Sequence, residues 1–210
     1  MNLPNIITVA RVVAAPVVLA LILGGSFSQL VFAFVLFVTA ALSDLWDGYL
    51  ARRRGQITDF GKLADPIADK LLILCTIVPF HVVTLRDGGA TGLDVVPYWG
   101  GMHLWLVIVI LGRELVITGF RWFATRKGVV IAAGKAGKYK ALFQNLFVGG
   151  EILWLALRSQ ALERGWDTPF WSFWKVFHGS FVAITLAIAL ALTVYSLGVY
   201  FWRYRALVSR

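Results

Sequence analysis

Apolar runs of roughly twenty residues recur along this 210-residue chain, separated by short polar or basic stretches. A run of that length, coiled as an α-helix, spans the ~30 Å hydrocarbon layer of a bilayer and satisfies its own backbone polar groups where no water can. Hydrophobic residues make up 59% of the chain and charged residues 15%, whereas about a quarter of an ordinary soluble domain is charged. The pattern predicts an all-α integral membrane protein, a single domain over residues 1–210, with six transmembrane helices near residues 6–23, 30–50, 63–85, 102–123, 141–157 and 173–202. Nine Trp, 15 Phe and six Tyr suit aromatic belts at two membrane interfaces. The first run lacks a charged leader and a small-residue cleavage site, so it is expected to be retained. Pro16 is expected to kink it, and Pro66 to sit in the first turn of the third helix.

The net charge is +9, from 20 Lys and Arg against 11 Asp and Glu. These cations fall in short stretches between apolar runs, which favours membrane topology and anionic lipid over nucleic acid; no nucleic-acid partner is expected. The stretches after helices two and four and the C-terminal tail are strongly basic. Those after helices one, three and five carry none, one (Arg86) and two (Arg158, Arg164). The alternation places both termini in the cytoplasm.

Against this background, residues 44–69 read DLWDGYLARRRGQITDFGKLADPIAD and hold Asp44, Asp47, Asp65 and Asp69. Carboxylates beside hydrocarbon are costly and mark function by default. Spacings of three and four put each pair on one face of a helix, one turn apart. Two helices joined by a short connection are natural neighbours, so the pairs are expected to face each other. Facing carboxylates repel unless cations neutralise them, and an oxygen-only donor set suits Mg²⁺ or Mn²⁺. A pair of such ions clamps a phosphoryl group during displacement. Gly48 and Gly61 leave room for a phosphate against the backbone, and Arg52 can grip one in bidentate fashion. The bland alternative makes the aspartates interfacial ion-pair partners of Arg52, Arg53, Arg54 and Lys70. Asn5, Thr8 and Arg11 share one face of the first helix, where capping and snorkelling are the plain reading.

The stretch resembles the signature D-x2-D-G-x2-A-R-x8-G-x3-D-x3-D of the CDP-alcohol phosphatidyltransferases, with Asp44, Asp47, Gly48, Ala51, Arg52, Gly61, Asp65 and Asp69 at its eight positions. The resemblance implies a six-helix membrane fold, a homodimer and two divalent cations on Asp44, Asp47, Asp65 and Asp69. It also implies that Asp69 is the base toward the acceptor alcohol, and that Gly48, Ala51, Arg52 and Gly61 line a CDP pocket. CDP-diacylglycerol would be the donor and CMP the leaving product.

Other segments, NLPNIITVARV, LADPIADKLL, GREL and GKYKALFQ, are similar to the branch of that family whose acceptor is sn-glycerol 3-phosphate. That branch implies a bacterial cytoplasmic membrane with the active site on the cytoplasmic face. An anionic acceptor needs cations, and Arg113, Arg121, Lys135, Lys138 and Lys140 are the expected phosphate pocket. Ala141 stands where the branch usually has Thr. The competing readings are the same chemistry on inositol phosphate, inositol or serine, a small cation transporter, and a noncatalytic scaffold. Glu114 is expected to pair with Arg113 or Arg121, and His81, His103 and His178 to hold no metal. Cys75 is expected to be a buried apolar residue; Glu151 has no partner that the sequence names.

Overall fold

The computed structural model describes residues 3–54, 59–127 and 135–208, with the side chains of residues 3–4, 44–54, 59–63, 135–136 and 203–208 left out of the description. Among the described residues there are six helices and no strand: α1 (Leu3–Gly24), α2 (Phe27–Arg54), α3 (Asp59–Asp87), α4 (Leu104–Arg126), α5 (Lys135–Arg164) and α6 (Pro169–Val208). They alternate in direction. Arg86 near the end of α3 donates to Leu23 O at the end of α1, and Ser159 late in α5 donates to Gly25 O.

Five of the described helices run past both predicted ends, and α4 starts at Leu104, two residues late, but runs on to Arg126, because Arg, Lys and Ala at the margins are good helix formers and continue the coil into the polar layer. The expected loop over 51–62 shortens to the connection 55–58, and the basic stretch 121–140 is helical through Arg126 and again from Lys135. Asp44 and Asp47 therefore lie about two turns in from the end of α2. Pro66 lies inside α3, not in its first turn, and α1 continues through Pro16, as membrane helices tolerate. Arg158, expected in a loop, is in α5.

Packing arranges the six helices as a ring, each against two neighbours, in the order α1, α2, α5, α6, α4, α3 and back to α1. The ends of α2 and α3 that are expected to face each other carry side chains outside the described residues. Among the described residues the two helices share little contact, and α1 stands between them. Small buried residues, Ala15, Ala33, Ala40 and Ala156, allow the backbones to approach. At Gly150 a Cβ would come 3.0 Å from the Phe181 ring, so a larger residue would press on α6 where α5 meets it.

Among the described residues three helical segments are long and apolar enough to cross a membrane: Asn5–Gly24, Ala64–Asp87 and Pro169–Trp202. The outward faces are as apolar as the core, with Val13, Phe32, Ile108, Leu115, Ile184 and Val194 all exposed. Lipid, not water, is the solvent that such faces require. At ~1.5 Å per residue α6 reaches about 60 Å, so its ends stand clear of the hydrocarbon.

Candidate active site

The first half of α1 turns its polar residues inward. Thr8 and Arg11 are three apart on one face and almost wholly buried, at 1% and 2% exposure, which replaces the capping and snorkelling reading. A buried guanidinium needs an anion. Arg11 Nη1 donates to Asp69 Oδ1 at 2.7 Å, Nη2 lies 3.5 Å from Asp65 Oδ1, and Thr8 Oγ1 donates to the same Asp65 oxygen at 2.6 Å. Asn5 is half-buried one turn nearer the N-terminus. α1 therefore orients the two carboxylates that the four-residue spacing puts on one face of α3.

Both carboxylates remain partly accessible. Asp65 is 45% exposed and Asp69 54%. Carboxylate oxygens held in place from behind fit a hard divalent cation. Among the described residues no group of three or more metal-capable side chains gathers. The side chains of Asp44, Asp47, Ala51 and Arg52 on α2 lie outside the described residues, and with them Gly48 on α2 and Gly61 on α3. The connection 55–58 ties the adjoining ends of α2 and α3 to within about 18 Å of each other.

Beside Asp69 opens a cavity of about 190 Å³, walled by five helices. α1 contributes Arg11, α3 Asp69 and Lys70, α4 Arg113 and Glu114, α5 Lys140, Ala141 and Gln144, and α2 Ala40 and Ala41. Glu114 is the hub of its cationic wall. It accepts from Arg113 Nη1 at 3.0 Å and is bonded directly by Lys140, so its partners are Arg113, as the sequence suggests, and Lys140 in place of Arg121. Arg113 Nη2 donates to Ser196 Oγ of α6 at 3.1 Å, while its buried Nε has no hydrogen-bond partner among the described residues. One carboxylate shared by two cations leaves net positive charge on this wall.

Of the five cations expected to form an anion pocket, Arg113 and Lys140 line the cavity. Arg121 is turned to α6, where its Nε donates to Tyr200 Oη at 2.8 Å. Lys138 is exposed, and the side chain of Lys135 lies outside the described residues. Sequence reasoning missed Gln144; its place one turn after Lys140 on α5 was the available signal.

None of the three histidines lines this cavity. His178 Nε2 donates to Gly150 O at 2.9 Å, His81 Nδ1 to Met102 O at 2.7 Å, and His103 Nε2 to Trp99 O at 3.1 Å. Cys75 is buried in α3. Glu151 is wholly buried in α5, with no hydrogen-bond partner among the described residues.

A second cavity, about 360 Å³ and almost entirely apolar, lies between α2, α5 and α6 among Phe34, Phe37, Leu142, Leu146, Leu153 and Phe181. It shares Ala41 and Asn145 with the first. A carboxylate, a cationic recess and an apolar groove thus meet at one end of the helical ring.

Residues 1–195 match the CDP-alcohol phosphatidyltransferase family model. The chain is 36% identical over 144 residues to a Rickettsia felis protein named CDP-diacylglycerol–glycerol-3-phosphate 3-phosphatidyltransferase, covering 68% of this chain and 70% of that one. It is 34% identical over 164 residues to a Bacillus subtilis protein of the same name, covering 72% and 77%. It is also 38% identical over 155 residues to a Mycobacterium tuberculosis protein named probable phosphatidylglycerophosphate synthase, covering 72% of this chain and 66% of that one. With the family model matched over nearly its whole length, the chain belongs to the CDP-alcohol phosphatidyltransferase family.

Proposed function

We infer that this membrane protein transfers the phosphatidyl group of CDP-diacylglycerol to sn-glycerol 3-phosphate, forming phosphatidylglycerol phosphate and CMP in phospholipid synthesis. The relatives' names support this reading. The structural observation that supports it most is the cavity joining Asp69 to the Arg113–Lys140 wall. At about 190 Å³ it is smaller than the roughly 300–1,000 Å³ of pockets for drug-sized ligands, which suits a small organic phosphate.

The acceptor's phosphate sits against Arg113 and Lys140, and this anchoring brings its primary hydroxyl to Asp69. Asp69 accepts the hydroxyl proton as the oxygen attacks the lipid-side phosphorus. The bond from that phosphorus to the bridging oxygen breaks, and CMP leaves with the electron pair. Arg11 keeps Asp69 and Asp65 aimed. Mg²⁺ or Mn²⁺ on Asp44, Asp47, Asp65 and Asp69 would supply charge neutralisation to the pyrophosphate. Gly48, Ala51, Arg52 and Gly61 would receive the CDP moiety, and the apolar groove an acyl chain. In this reading all six helices cross the bacterial cytoplasmic membrane. The termini and cavity mouth face the cytoplasm, and two copies pair as a homodimer.

The test is CMP release by purified protein in detergent with CDP-diacylglycerol, with and without Mg²⁺ or Mn²⁺. Glycerol 3-phosphate, inositol phosphate, inositol and serine are offered in turn. Release that needs both metal and glycerol 3-phosphate is the expected result; release with another acceptor overturns the acceptor assignment and keeps the chemistry.

A further inference from the structure

Of the polar side chains that line the cavity and that the chemistry above leaves unused, Gln144 is the buried one. Gln144 is 2% exposed and lines the cavity one turn along α5 from Lys140. Neither its Nε2 nor its Oε1 has a hydrogen-bond partner among the described residues. Buried amides are almost always satisfied, and a donor and an acceptor both left open cost stability unless something completes them. Gln144 thus resembles a binding group waiting for a ligand more than a packing residue.

The chemistry of that ligand follows from the neighbours. Charged recognition is already provided by Arg113 and Lys140, so a neutral carboxamide adds nothing for a phosphate that they do not supply better. What matches a neutral donor beside a neutral acceptor is a hydroxyl, which also donates one hydrogen bond and accepts others. The attacking hydroxyl of a glycerol phosphate is engaged by Asp69. The secondary hydroxyl lies between it and the phosphate and takes no part in the bond made. Ala141, which lines the same cavity, brings no hydroxyl of its own.

We propose that Gln144 is the specificity-determining residue that reads the secondary hydroxyl of the acceptor polyol phosphate, through both ends of its carboxamide. The inference rests on the acceptor assigned above. It predicts that the enzyme selects for a hydroxyl that the reaction itself does not need.

The experiment compares kcat/KM for glycerol 3-phosphate with that for 3-hydroxypropyl phosphate, which keeps the phosphate and the attacking hydroxyl and lacks only the secondary one. The parent enzyme is expected to favour glycerol 3-phosphate by about 10- to 100-fold, since the analogue leaves a buried polar group unpaired. In Gln144→Met, similar in size and without a hydrogen-bonding amide, that preference falls by about 10-fold or more. In Gln144→Asn, which keeps both groups on a shorter stem, it falls less.

Because the preference is a ratio taken within one protein, unfolded material cancels from it. A parent enzyme that uses glycerol 3-phosphate but shows no preference over the analogue overturns the inference. So does a preference that survives in Gln144→Met, and in both cases the assigned reaction stands. A parent enzyme that uses a different acceptor and ignores glycerol 3-phosphate removes the assignment first, and the role of Gln144 with it.

Discussion

Each end of the helical ring is built around a buried arginine that meets aspartate, and the two ends use that pairing in opposite ways. At the end away from the cavity, Arg158 of α5 bonds Asp87 and Thr91 directly and donates to Leu93 O at 3.1 Å from Nε and 2.9 Å from Nη2. Both side chains are nearly closed off, at 8% and 9% exposure. The Gly-rich segment after α3 wraps them, and Trp154 Nε1 donates to Asp94 O of that segment at 3.1 Å. At the cavity end Arg11 is more deeply buried, at 2%, yet its partners Asp65 and Asp69 stand about half open. The closed pair spends its carboxylate on the fold. The open pair buries only the cation and leaves both carboxylates partly exposed, with Asp69 lining a cavity, an arrangement that stability alone does not require and that the proposed reaction uses.

The comparison breaks most sharply if the open carboxylate proves dispensable. Asp69→Asn keeps an oxygen for Arg11 but loses the base and the ionised donor, so CMP release is expected to fall by about 10⁴-fold. Thermal unfolding in detergent should stay close to that of the parent. Near-parental turnover in this variant would remove Asp69 from the chemistry and make the two ends equivalent.

The closed pair should behave in the reverse manner. Arg158→Met leaves Asp87 buried without its cation, a change that costs about 3–5 kcal/mol. Chemical denaturation in detergent should report that loss, with turnover per folded molecule unaltered. Replacing Asp87 with Asn in the same protein should recover part of it, because the uncompensated charge is then gone. Loss of turnover in protein that remains folded would instead show that the two ends communicate.

How much of this was legible in the sequence follows from the range of each signal. The aspartate pairs are local patterns, readable because one helical turn relates their members. The all-helical class is legible for the same reason, since apolar runs of membrane length leave the backbone few options. The helix ends were misplaced because hydropathy marks the edge of the hydrocarbon and not the end of the coil; Arg52, Arg53 and Arg54 read as loop and are helical. The arginine partners were illegible because they are distant: Arg11 and Asp69 are 58 positions apart, Arg158 and Asp87 71. In sequence Arg158 was one more cation in a loop; packing of α5 beside the end of α3 made it structural. Gln144 carried no charge to draw notice, and only the empty space beside it distinguishes it. The ring order of the helices, with α1 between α2 and α3, likewise depends on packing that no local pattern encodes.

The smallest expected effect separates orientation from stability at the open end. Thr8→Val is close to isosteric and removes the 2.6 Å bond from Oγ1 to Asp65 Oδ1. Asp65 is 45% exposed, so water takes the vacated lone pair and the fold loses little. A carboxylate that has lost one of its fixed donors samples more orientations, and a site that needs it in one orientation pays about 1 kcal/mol, or roughly fivefold. The metal concentration giving half-maximal CMP release should therefore rise about fivefold in Thr8→Val, with the unfolding midpoint unchanged. A lowered midpoint with unaltered metal dependence would place Thr8 with Arg158 among the groups that hold the bundle together. The expected result would show that α1 aims the carboxylates of α3, which is why a polar face on the first helix is buried at all.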